Sequence, residues 1–437
     1  MRLSRMTIGL LVVLSCSLPT AANAEEYSLD DLYRMALQRS EKVQIASEDV
    51  TWYKLDRKRA ISMLLPKLTA YGNHQQYTDD RYNDLGTLIQ PKKAGNWGVR
   101  ADQTMSLSLR ELTAVSEAGN FVRKADYDLA AAREAYLLQV AEAYYQALMA
   151  SKDLDIANSN LERVTKYRDA ALARKQQGEV TKTVLLRAES ELSGARSDLV
   201  RAQNALSLAR YSLARAVGIE GDFSLKEAPF HEAGTAPLDD LRRIAWDERP
   251  DLKSASAMVT IAGQEVTWAK GSYWPNLNMA AVYQNNDQDP ETITFNDQST
   301  YGALSLQFPF FEGGLRVAEV QQAKTRERQA KLQYEDLKKS VALEVESAYL
   351  AVTTRKGQLK FLEDQTTFAR DNYRGVSRQF ELGLASSIDV IDANNLLVSS
   401  ERQLAAAMYS YQLAILSLEH AMGTFMKRIE GKEKGLE

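Results

Sequence analysis

Cysteine, proline and histidine are scarce in this chain: one, nine and three among 437 residues. The one cysteine, Cys16, lies inside an N-terminal targeting segment, so the rest of the chain has no thiol and no disulfide. An exported chain stable without disulfides needs a large buried interface of another kind. The three histidines, His74, His231 and His420, are far apart and form no metal-ligand spacing. A serine nucleophile elbow, a phosphate loop and a Cys-x-x-Cys pair are also missing. An enzyme reading therefore has little to stand on, and no cofactor is expected. Beyond the N-terminus no window holds eighteen apolar residues in a row, which excludes a helical membrane span. Positive charge is not in excess either, with 54 Lys+Arg against 58 Asp+Glu. Phosphate binding wants a basic surface, so nucleic acid is not an expected partner.

What the chain does have begins with an export signal. Arg2 and Arg5 precede the apolar run 6–18, and Ala22-x-Ala24 follows as a small-residue cleavage site. Cleavage after Ala24 removes two basic residues and no acidic one, taking the formal charge from −4 to −6. Val13-Leu14-Ser15-Cys16 is a poor lipid-attachment box beside this good Ala-x-Ala.

The remainder is written twice. Leucines stand at 185, 192, 199, 206 and 213, with alanines three residues after each. A shift of 205 carries the leucines onto Val390, Leu397, Leu404, Tyr411 and Leu418, Gly178 onto Gly383, and Gly218 onto Gly423. A shift of 209 carries "LDDLYRMA" at 29–36 onto "LDDLRRIA" at 238–245. Two tandem structural repeats are predicted, 25–220 and 237–425, with a Gly- and Pro-rich linker at 221–236 and a charged tail at 426–437. Each repeat reads as a short helix, two strands and a long helical hairpin. The helices are predicted at 119–177, 180–217, 315–382 and 386–422, and the seven-residue spacing marks them as coiled coil. Leucine alternating with alanine brings the helix axes close. The stripe is a stiff rod and carries no chemistry.

Strands are predicted at 67–77, 97–109, 276–285 and 300–310. In 97–109 the odd positions (Trp97, Val99, Ala101, Gln103, Met105, Leu107, Leu109) are nearly all apolar and the even ones polar. This period of two fits a strand between unlike solvents. "YGALSLQFPF" repeats it with Leu304, Leu306, Phe308 and Phe310. About ten residues suit a tilted membrane crossing. The bland reading is a soluble four-stranded sheet with one face on a helix layer. If the strands do cross a bilayer, four cannot close into a barrel and open edges in lipid are prohibitive, so the chain must be an oligomer.

"SLDDLYRMAL" (28–37), "LSLQFPFFEGGLRVAEVQQAK" (304–324) and "LGLASSIDVIDANNLLVSSERQLAAAMYSYQLAILSLEHAMG" (382–423) make the chain resemble the TolC-type outer-membrane efflux family across essentially its whole mature length. The resemblance implies a mostly α fold with a β-barrel: a homotrimer forming a 12-stranded barrel in outer-membrane lipid and an α-helical tunnel through the periplasm. It further implies docking to a periplasmic adaptor driven by an inner-membrane transporter, with no chemistry by the duct itself. One departure concerns the strand-to-helix joins. Gly313-Gly314 mark the second, whereas "LSLRELTAVSEAGN" at the first has no double glycine.

"SSIDVIDA" is similar to the family segment in which paired aspartates ring the closed periplasmic end. Carried over, these are Asp389 and Asp392, six carboxylates in a trimer, whose repulsion would attract cations. Asp389 also has a sufficient local explanation, since Ser386 and Asp389 have the spacing of a capping box and a carboxylate there opposes the helix dipole. The first repeat has Val184 and Arg187 at the equivalent positions. Family members hold the gate shut with a tyrosine, an arginine and a partner aspartate. Here the matching positions are Phe380, Ala385 and Val184, so closure is expected to rely on packing and an Asp392–Arg187 pair. The turns 177–181 and 382–386 would be the adaptor-docking tips, with Gly178, Glu179, Val180 and Thr181 on one and Leu382, Gly383 and Leu384 on the other, beside Ser387. The plain alternative is that any such hairpin needs a glycine in its turn. The rival of another class is a non-conducting exported coiled-coil structural or adhesin protein, with no lumen and no polar inner face on its strands.

Overall fold

A computed structural model describes residues 25–434 other than 228, 231, 233, 235, 293 and 294. The predicted signal segment 1–24 and His231 lie outside the described residues. The chain opens with β1 (Glu25–Tyr27), α1 (Leu29–Arg39), α2 (Glu41–Ser62), β2 (Lys67–Gln76), β3 (Arg81–Tyr82), β4 (Leu88–Gln90) and β5 (Lys93–Ser106). The helices α3 (Arg110–Gln176) and α4 (Lys182–Val217) follow, then β6 (Phe223–Leu225). The second half runs α5 (Leu238–Glu248), α6 (Pro250–Gly271), β7 (Asn276–Asp289), β8 (Gln298–Gln307), α7 (Leu315–Glu381), α8 (Ser387–Ala421) and α9 (Phe425–Lys434). Helix lengths match between halves: 11 residues for α1 and α5, 22 for α2 and α6, 67 for α3 and α7.

Local chemistry sets the helix ends. Ser28 and Asp31 form a full capping box on α1, and Pro250 stands at the first position of α6, where its missing N–H costs nothing. The heptad leucines and alanines turn inward. Leu185, Ala188, Leu192, Ala195 and Ala202 of α4 are buried, as are Val390, Ala393, Leu397, Ala414 and Ala421 of α8. The helices α3 and α7, each about 100 Å long, thread the whole rod. Near the sheet the neighbours in order are α2, α3, α6 and α7; towards the far end they are α4, α3, α8 and α7.

Among the described residues the largest buried apolar cluster lies midway along the rod. Leu32, Tyr33, Leu137, Tyr144, Leu213 and Phe425 meet there without exposed surface. A second cluster on α5, α7 and α8 includes Val341, Val345 and Tyr411. Beside it Arg249 is nearly buried. Its guanidinium binds Asp251 at 2.7 Å and Glu344 at 2.6 Å, and donates to the Ala421 carbonyl at 3.2 Å.

Several boundaries differ from the sequence reading. Helix α3 begins at Arg110 rather than 119, with Gly119 inside it. A glycine costs about 1 kcal/mol in a helix interior, and the flanking α2 and α6 overcome that. The strand expected to reach 109 ends at Ser106, so Leu107 and Leu109 leave the sheet. The strand expected at 300–310 ends at Gln307, leaving Phe308 and Phe310 outside. Strand β7 runs four residues past 285 because β5 pairs with it throughout, from Ser106↔Asn276 to Lys93↔Asp289. The linker contains β6, which pairs in parallel with β1. Residues 426–434 of the expected tail belong to α9, which buries Ile429 together with Phe425, the last residue of the second repeat; Phe425 meets Tyr33 edge-to-face at 5.8 Å.

Candidate functional site

Two places could carry function, the sheet and the far tips of the hairpins. The sheet has the order β2-β5-β7-β8, antiparallel throughout. Register sorts its side chains into two unlike faces. One face holds the rows Met105–Leu277–Leu306 and Gln103–Met279–Leu304, with Leu68 beside Ala101 and the ring pair Trp97–Tyr283 at 6.0 Å. The other holds Thr104–Asn278–Ser305 and Gly98–Gln284–Ser299. On that second face Thr104 Oγ1 donates to Asn278 Oδ1 at 2.8 Å, Tyr71 donates to Gln284 at 3.3 Å, and Arg100 pairs with Asp102 at 2.7 Å.

The apolar face is bare: Leu68, Leu304 and Leu306 are 72%, 73% and 62% exposed. Among the described residues, the layer of helices that the soluble-sheet reading requires is not present over it. Tyr273, Trp274, Phe308 and Phe310, all exposed, gather where strands pass to helices, the place aromatic side chains take at a membrane interface. Among the described residues, β2 pairs only with β5 and β8 only with β7, so both outer edges of the sheet are open. No described helix is long and apolar enough to cross a membrane.

At the far end, Gly178 and Gly383 turn the two hairpins with φ of 76° and 80°, a left-handed conformation that costs glycine little. Val180 is half-buried, while Glu179, Thr181, Leu382 and Leu384 are exposed. Ser387 is the first residue of α8, and Ser386 caps it. Asp389 Oδ2 accepts the Ser386 N–H at 2.8 Å, and Asp389 N–H donates to Ser386 Oγ at 3.3 Å. The Ser386 hydroxyl and then the Ser386 N–H, both facing the carboxylate, hold the Asp389 carboxyl below the usual carboxylate range. Asp392 is exposed one turn later, and Arg187 is exposed on α4. Among the described residues no ion pair joins Arg187 to Asp392 within the chain.

Phe380, Val184 and Ala385, scattered in sequence, come together. Phe380 is buried against Tyr167, Ala171, Ala188 and Val390, and Val184 and Ala385 pack onto the same cluster. Further polar links between the hairpins lie along the rod. Arg163 donates to Asn394 at 3.0 Å, Asn394 to Asn160 at 2.8 Å, and Arg402 to Asp153 at 2.6 Å. Sequence spacing gave no sign of these, because each joins residues more than 200 positions apart.

A two-faced membrane sheet carried on a long helical rod defines the class as a bilayer-embedded wall with a periplasmic extension. The chain belongs to the outer membrane efflux protein family, whose model matches residues 32–219 and 241–424. It is 24% identical over 315 residues to the outer membrane protein TolC of Vibrio cholerae, covering 70% of this chain and 72% of that one. It is 22% identical over 419 residues to the alkaline protease secretion protein AprF of Pseudomonas aeruginosa, covering 90% and 84%. Among solved structures it is similar to the outer membrane protein VceC of Vibrio cholerae, with TM-score 0.78, 18% identity and coverage of 90% and 96%. The outer-membrane channel OprN aligns with TM-score 0.80 at 18% identity, covering 91% and 90%. The protein is therefore an outer-membrane one with its helical part in the periplasm. Its family consists of channels rather than enzymes, and its relatives are components of efflux and secretion systems.

Proposed function

We propose that the chain is the outer-membrane exit duct of a tripartite efflux or type I secretion system, working as a homotrimer. The observation that carries this is the sheet: apolar on one face, polar on the other, open at both edges. Unpaired backbone groups in hydrocarbon cost several kcal/mol each, so the edges must be closed by other copies. Two copies would give eight strands, an interior that side chains fill. Three give twelve, with the Thr104–Asn278–Ser305 face turned to water and the leucine face to lipid. The matched helix lengths support tandem repeats, 25–220 and 237–425, each contributing one hairpin to a common tunnel.

At the tips, three copies would bring six carboxylates of Asp389 and Asp392 around the opening, with Arg187 of a neighbouring chain available to Asp392. The exposed turns around Gly178 and Gly383 would dock a periplasmic adaptor that an inner-membrane transporter drives. A non-conducting adhesin or spacer gives the polar row of the sheet no use, which disfavours it. Reconstitution of the purified protein in a planar bilayer tests the proposal. A trimeric mass with ion conductance is expected; a water-soluble monomer without conductance would refute it.

A further inference from the structure

We propose that Arg174 is a positioning residue that latches the two hairpin tips of one chain together, supplying the directional link that Phe380, Val184 and Ala385 cannot. The proposal rests on reading the tips as the gated end of a duct.

Arg174 lies in the last turn of α3, on the first hairpin. Its guanidinium crosses to the second. Nη1 donates to the Phe380 carbonyl at 3.0 Å, and the group stands 4.9 Å from the centroid of the Phe380 ring. Nε pairs with Glu179 at 3.0 Å, across the turn of its own hairpin. One side chain thus holds its own turn and the end of the neighbouring helix. It is only 18% exposed, so water competes weakly for these contacts.

The acceptor explains why the link forms. Phe380 is among the last residues of α7, whose terminal carbonyls have no partner within the helix. The Gly383 N–H takes one lone pair of this oxygen at 3.0 Å, and Arg174 takes the other. A cation at a helix C-terminus also meets the negative end of the dipole. The planar fork is needed, because one group must reach a carbonyl, a ring face and a carboxylate together; an ammonium cannot. The second hairpin has no counterpart. The position related by 205 is Gln379, and among the described residues the adjacent Arg378 pairs only with Glu381 on its own helix, at 3.4 Å. Each chain thus carries one latch, running from the first hairpin to the second. A backbone carbonyl neither titrates nor mutates, so this arm of the latch persists whatever the charge on Asp389 and Asp392.

The mature chain has no native cysteine, which makes the test direct. Spin labels at Gln177→Cys and Leu384→Cys report the distance between the tips in the purified, reconstituted protein, and planar-bilayer recording reports open probability. Arg174→Ala is expected to lengthen and broaden that distance and to raise open probability about tenfold, the size of one charged hydrogen bond. Arg174→Lys, which keeps the charge and the fold, should share the effect in reduced degree. An unchanged distance in both variants overturns the latch, whatever the current does. A longer distance without current in parent or variant upholds the latch and refutes the duct.

Discussion

Leu109 and Gly314 do the same work in the two halves. Each is the residue before a 67-residue helix, each lies in the left-handed region, and 205 positions separate them. Leu109 has φ 54°, ψ 36°, and Gly314 has φ 87°, ψ 0°. The first strand-to-helix join thus makes the same bend without glycine, bearing a cost of about 1–2 kcal/mol for a side chain in that conformation. A Cβ on Gly314 would meet no atom within 4 Å, so Gly314→Ala should cost only the conformational term, about 1 kcal/mol. Leu109→Gly should be close to neutral. Relief of the left-handed penalty is offset by glycine's backbone entropy, about 1 kcal/mol, and by the loss of the partial burial of a leucine that is 46% exposed. Thermal melting of the detergent-solubilised protein, followed by helical circular dichroism, checks both.

The two faces of the sheet predict opposite responses to the same change. Leu304 and Ser305 are adjacent on β8 but point to opposite faces. Leu304→Arg should cost about 2–4 kcal/mol if the residue meets the middle of the bilayer, and should cut the yield of folded protein in the outer membrane. Ser305→Arg should be tolerated, altering ion selectivity instead. Heat-modifiable migration of membrane extracts gives the first readout, and reversal potentials in asymmetric salt give the second. Equal tolerance of both substitutions would remove the basis for the barrel.

How much of this was legible beforehand depended on whether the signal was local. The period of two in 97–109 placed a strand because alternate side chains face unlike solvents, though the strand runs from Lys93 to Ser106, and Ser386 with Asp389 announced a helix start because a capping box spans four residues. The heptads placed α4 and α8 almost to the residue. Where tertiary contacts decide, local pattern failed. Helix α3 runs through Gly119 because α2 and α6 flank it. Residues 426–437 looked like a charged tail because Lys427, Arg428 and Glu430 dominate the sequence there, while the burial of Ile429, beside Phe425, depends on partners distant in the chain. At the tips, the glycines and aspartates were visible by spacing and resemblance. The Arg174–Phe380 link was not, since nothing in either neighbourhood marks the other.

The ionic cluster at mid-rod gives a pH dependence. His420, in the last turn of α8, lies 3.9 Å from Glu344 and near Arg249 and Asp251. Burial lowers its pKa, and Arg249 adds to this, while Glu344 and Asp251 oppose it without prevailing. The folded state therefore binds its proton less readily than the unfolded chain does. Stability from this residue is intact above the ordinary histidine pKa and declines as pH falls below it, towards the depressed folded value. Melting temperature should drop between about pH 7 and pH 5, where an unperturbed histidine titrates. His420→Gln should flatten that part of the profile. An unchanged slope in the variant would assign the pH dependence to other groups.

Asp389 and Asp392 can be separated by experiment because only Asp389 belongs to the capping box of α8. Asp389 is held below the usual carboxylate range by the Ser386 hydroxyl and the Ser386 N–H. Its contribution to stability is present at and above the ordinary carboxylate pKa and is lost as pH falls through the lowered one. Separately, Ser386→Ala removes the N-cap oxygen of α8 and should destabilise the tip by about 1 kcal/mol. Asp389→Asn keeps an acceptor for the Ser386 N–H while removing the charge. If the carboxylates ring an opening, divalent cations added on the tip side should block current through the parent. Asp389→Asn and Asp392→Ala should each weaken the block several-fold, with little change in melting temperature for Asp392→Ala. Asp389→Ala should weaken the block to the same degree as Asp389→Asn and also lose the carboxylate half of the capping box, while the Ser386 Oγ bond to the backbone N–H remains. A block that survives loss of both charges would leave Asp389 as a capping residue and Asp392 as a solvated surface charge, and would move the constriction elsewhere along the rod.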